Sequence, residues 1–89
     1  MVVQETNDAE AIALRALGWT LSDDARASRL LALTGLSPET LRERIGDPDL
    51  LAAVLRFLEA HEPDLLACAE ALATTPSRLV EMRRRLEAR

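Results

Sequence analysis

Eighty-nine residues with a formal charge of −4, eleven arginines and no lysine hold room for one core, which in a chain of this size buries only roughly two thirds of the unfolded surface. Trp19 and Phe57 are the only aromatics, so leucine, alanine and a few branched residues must build that core, and these are helix formers. An acidic total excludes a protein basic over its whole surface, and the longest apolar run, Leu50 to Leu55, is far below the roughly eighteen residues of a membrane span.

Residues 1–6 carry no periodicity and read as a flexible N-terminal arm, which leaves 7–89 as a single helical domain. Asn7, with Glu10 three residues on, has the spacing of a capping box and predicts a helix from Asp8 to about Thr20. Ile12, Ala13, Ala16, Leu17 and Trp19 face its core side, and Asp8, Ala11, Arg15 and Gly18 its wet side. Gly18 weakens the last turn by roughly 1 kcal/mol relative to alanine. Ser22 is expected to cap a second helix, with Asp23 and Asp24 in its first turn and Ala27, Leu30, Leu31 and Thr34 buried. Gly35 stops it, in the left-handed conformation that glycine takes without strain.

Ser37 and Pro38 open a short third helix reaching Ile45, with Gly46 ending it. Asp47, Pro48 and Asp49 then start the helix on which the domain is centred, residues 48–60. Leu50, Leu51, Val54, Leu55, Phe57 and Leu58 cover most of its circumference, and Asp49, Ala53, Arg56 and Ala60 leave a thin polar stripe. A helix so nearly apolar all round belongs in the middle of a packed domain. Glu62, Pro63 and Asp64 begin a fifth helix bearing Leu65, Leu66, Ala69, Leu72 and Ala73. Thr75 and Pro76 begin a sixth over 76–88 with Leu79, Val80, Met82 and Leu86 along one side. The expected fold is therefore all-α, a compact domain of five or six short helices around the apolar helix 48–60. DPDLLA at 47–52 recurs as EPDLLA at 62–67, which is too short an echo for a solenoid.

Taken together, ALRAL (13–17), LALTGLSPETLR (31–42), LLAAVLRFL (50–58) and PDLLACAEA (63–71) resemble a family of short all-helical bacterial proteins known only as a domain of unknown function. The resemblance implies an all-helical fold and a bacterial cytosolic setting, and carries over no activity or functional residue. Locally, LLALTGLSPETLRERI is similar to the helix-turn-helix of bacterial DNA-binding regulators, with Gly35, Leu36 and Ser37 matching the turn. The helix it would present has Glu39 and Glu43 cancelling Arg42 and Arg44, whereas phosphate contact needs net positive charge.

Catalytic, cofactor-binding and metal residues are not expected. Cys68 falls on the buried side of its helix as a small hydrophobe, Ser22 and Ser37 sit at caps, and His61 with one cysteine supplies too few ligands for structural zinc. The glycines stand alone, so no phosphate loop forms. MVVQETND lacks the segments of an export signal and Cys68 has no internal disulfide partner, so a cytoplasmic, membrane-free protein is expected. Charge is unevenly spread: residues 47–74 hold six acidic side chains against Arg56, and residues 75–89 hold five arginines against two glutamates. Arg83, Arg84 and Arg85 read as a solvated face near a helix C-terminus. The function expected is that of a non-enzymatic interaction module, with an unknown protein partner or self-association. The alternative is DNA binding through Arg42, Arg44, Arg78, Arg83 and Arg84.

Overall fold

In the computed structural model the backbone is described over residues 3–88 and the side chains over residues 8–88. Six helices follow one another among the described residues: α1 (Val3–Leu21), α2 (Asp24–Thr34), α3 (Pro38–Glu43), α4 (Pro48–Glu59), α5 (Glu62–Ala71) and α6 (Pro76–Glu87). No strand occurs among the described residues, and no helix there is long and apolar enough to cross a membrane.

Local chemistry starts four of these helices. Asp23 accepts the Arg26 N–H, Ser37 the Thr40 N–H, Asp47 the Asp49 N–H and Thr75 the Arg78 N–H, at 2.8–3.1 Å. Each bond satisfies an amide with no partner inside its own helix. Proline follows at once in α3, α4 and α6 and one residue later in α5, where its missing N–H costs nothing.

Two expected caps are corrected. α1 is already helical at Val3, because no proline or glycine interrupts the chain before Gly18, so Asn7 lies inside the helix. Of the arm expected over 1–6, residues 3–6 form the first turn of α1 and residues 1–2 lie outside the described residues. Ser22 is not the cap of α2, since α1 continues through Gly18 to Leu21 and Asp23 is the residue with extended backbone and a capping oxygen. Ser22 instead donates its hydroxyl to the Trp19 carbonyl at 2.6 Å.

α4 packs against both α6 and α1, which also pack against each other, and this three-helix arrangement holds the core. Leu17, Leu51, Leu55, Leu58, Leu79, Met82 and Leu86 are fully buried in it. α1 approaches through Ala9, Ala13, Ala16 and Thr20, all at most 1 % exposed, a stripe of small side chains at helical spacing that lets the helix axes come close. α2 lies on α1 and α4, adding Leu30, and α5 lies across α4, α1 and α6, adding Cys68 and Ala69. Leu66 does not join Leu65, Cys68, Ala69 and Leu72 on the covered side. It falls on the opposite side of α5 and is 51 % exposed.

Two helix ends require a left-handed residue. Gly35 (φ +72°) donates to the Leu31 carbonyl at 2.8 Å to close α2. After α5 the same conformation falls on Ala73 (φ +58°), so this residue closes the helix, whereas the sequence pattern makes it one of the helix's members. Thr74 donates to Ala69 O at 2.9 Å and Ala73 to Glu70 O at 3.1 Å, the two bonds of a Schellman closure. A Cβ on Gly35 would meet nothing within 4 Å, so the penalty of Gly35→Ala is backbone strain alone, about 1 kcal/mol. Ala73→Gly should move stability the other way by a smaller amount, because relief of strain is partly offset by the greater freedom of glycine in the unfolded chain. Urea midpoints that shifted in the same direction for both variants would contradict the left-handed assignment of one of them.

Candidate functional site

The chain leaves α2 through the left-handed Gly35, makes the brief α3, and turns over 44–46 into α4. This corner leaves a groove of about 290 Å³ lined by Leu17 and Leu21 of α1, Ala27 and Leu31 of α2, Pro38, Leu41 and Arg42 of α3, and Ile45. Leu17 and Leu41 are buried and form its floor, while Leu21 and Ile45 are 39 % and 44 % exposed at its edges. Arg42 is the one charged lining residue, is exposed, and makes no ion pair among the described residues. The walls are therefore apolar with a single cation at the margin. Sequence periodicity did not find this groove, although a signal existed: Leu21 and Ile45 are large apolar residues at helix ends that no buried face had claimed.

A second cavity of about 300 Å³, between the end of α2 and the start of α4, is lined by Leu33, Thr34, Leu36, Arg44, Asp49, Leu50 and Ala53. Arg44 is not free there, because it pairs with Asp47 at 3.1 Å. The Asp49 backbone N–H, and then Arg44, hold the Asp47 carboxyl below its usual value.

Most of the remaining arginines among the described residues are engaged within the fold. Arg83 is 18 % exposed and joins α6 to α4, its Nε and Nη2 donating to both carboxylate oxygens of Glu59 at 2.7 and 3.1 Å, and its Nη1 to Glu87 at 2.8 Å. The expected solvated face is thus corrected at Arg83, because Glu59 rises beside it from the neighbouring helix. Arg56 also pairs with Glu87 and, followed by Arg83, holds the Glu87 carboxyl below its ordinary range. That depressed folded-state value means the contribution of Glu87 is present above the ordinary carboxylate pKa and is lost as pH falls through the folded one. Arg85 pairs with Glu81 at 2.7 Å, and Arg78 and Arg84 are exposed without an ion pair among the described residues.

Arg26 lies over the Trp19 ring at 3.6 Å and donates to the Trp19 carbonyl at 2.9 Å, and Arg29 reaches Asp64 at 2.7 Å. These contacts tie α2 to the end of α1 and to α5. They spend cations on the fold that a nucleic-acid surface would need free.

No group of three or more His, Cys, Asp or Glu side chains among the described residues is placed to hold a metal ion. His61 is exposed at the start of α5 and its side chain caps nothing. Cys68 is fully buried, and burial pushes its thiol up to about 11 against the opposing pull of Arg26 and Arg15. The thiolate is the reactive form, so the native protein should react with a thiol reagent only as fast as it opens, and rapidly once unfolded in urea. Rapid labelling of the native state would contradict the burial of Cys68.

A family described as Protein of unknown function (DUF3572) matches residues 6–89. No curated protein and no solved structure matches the chain.

Proposed function

We propose that this chain, which belongs to the DUF3572 family of proteins of unknown function, is a small cytosolic, non-enzymatic protein-interaction module that receives an apolar helix face in the groove between α1, α2 and α3. What carries the reading is the exposure of Leu21 and Ile45 beside the buried Leu17 and Leu41, which makes apolar surface continuous from the core to solvent. Apolar surface open to solvent beside a polar margin supports this reading, and an amphipathic helix fills such a groove with residues three and four apart.

DNA binding has less support. α3 has 6 residues, about 9 Å of helix, and Glu39 and Glu43 accompany Arg42 on it. Of the other arginines that reading would use, Arg44 is occupied by Asp47 and Arg83 by Glu59 and Glu87.

The test is a titration of isotope-labelled protein with a synthetic amphipathic peptide bearing leucines at helical spacing. Amide shifts should concentrate at Leu21, Leu31 and Ile45 and disappear in Ile45→Arg, a change at an exposed position that leaves the core alone. Shifts confined elsewhere would overturn the reading. Shifts over α3 on adding duplex DNA at low salt would put the helix-turn-helix reading in its place.

A further inference from the structure

The groove holds one unpaired cation, and the same chain carries a helix face of matching chemistry. Glu62, Leu66 and Glu70 are four residues apart along α5, share its outer face and are exposed. Leu66 is 51 % exposed, and neither glutamate has an ion-pair partner among the described residues. Among the described residues, of the large apolar side chains that reach solvent, Leu21 and Ile45 belong to the groove, and Leu66 alone stands between two carboxylates at four-residue spacing. A leucine flanked in this way presents a carboxylate one turn away whichever direction its helix runs across the groove.

We propose that the groove takes the outer face of α5 from a second copy of this chain, with Leu66 entering between Leu21 and Ile45 and Glu62 or Glu70 pairing with Arg42. The inference rests on the groove being a docking site, and names its occupant. Groove and α5 face are different surfaces, so one such contact leaves a free α5 face on one copy and a free groove on the other, which either take up further copies or close on each other. Apolar contact supplies the attraction and Arg42 selects the acidic face, since like charge placed opposite a charge strongly disfavours a partner.

Sedimentation equilibrium over a wide concentration range tests this, with circular dichroism confirming that each variant folds. The wild-type mass should climb above the 9.8 kDa of one chain as concentration rises. Arg42→Glu alone, or Glu62→Arg with Glu70→Arg, should weaken self-association by about tenfold or more. Mixed in equal amounts, the two variants should associate again, because both contacts between unlike variants set a carboxylate against an arginine, one as in the wild type and one with the charges exchanged. Leu66→Gln should give the same loss with no charge altered. A wild-type chain that stays at one-chain mass throughout, or a mixture that fails to pair, overturns self-association. If the leucine peptide still shifts Leu21 and Ile45 in that monomeric protein, only the identity of the occupant has failed. If it does not, the docking reading has failed as well.

Discussion

Leu55→Ala should lower the unfolding free energy by about 2–5 kcal/mol, a large part of what a domain of this size possesses. Leu55 is 0 % exposed on α4, the helix that packs against both α1 and α6, so its methyl groups are surrounded on every side and the walls of the resulting cavity have little freedom to collapse. Its neighbour Arg56 sits on the thin wet stripe with a side chain 64 % exposed and pairs with Glu87 at the surface. Arg56→Ala should therefore cost far less. Urea unfolding of the two variants side by side measures the contrast, and equal midpoints would mean that the buried face of α4 is wrongly assigned.

Ala13→Leu should destabilise by about 1–3 kcal/mol through the opposite defect, too much volume where there is no room. Ala13 is 0 % exposed within the stripe that α1 presents to the rest of the core, and leucine has nearly the same helix propensity as alanine, so packing alone decides the outcome. Ala11→Leu is the control, an exposed position on the same helix at which the added methyl groups meet solvent. Thermal unfolding should separate the two clearly. If both were tolerated equally, the close approach of α1 to α4 and α6 would not be what the small side chains are for.

The starts of α3, α4 and α6 and the all-helical class are legible in the sequence because they depend on residues within three positions of one another. Ser37, Asp47 and Thr75 each reach an amide two or three residues ahead, and the proline beside each one restricts the backbone before any tertiary contact forms. The buried side of α4 is legible for a related reason: six large apolar residues leave so narrow a polar stripe that any packing must cover most of the helix. α5 shows where this legibility stops. Both Leu65 and Leu66 fit a plausible apolar face, and only the position of α4, α1 and α6 covers the side holding Cys68 and Ala69 and leaves Leu66 in water. Arg83 looked solvated because Glu59 stands 24 residues away in the chain, and charge pairing over that separation is fixed by how α4 and α6 pack. The groove is the extreme case, since Leu21, Arg42 and Ile45 belong to separate segments and acquire a common surface only when Gly35 turns α2 back toward α3. Caps and helix faces are short-range consequences of backbone hydrogen bonding and side-chain spacing. The exposed apolar surface and its single free arginine arise from the choice of which faces meet, and that choice is settled by the volume and charge of side chains far apart in the chain.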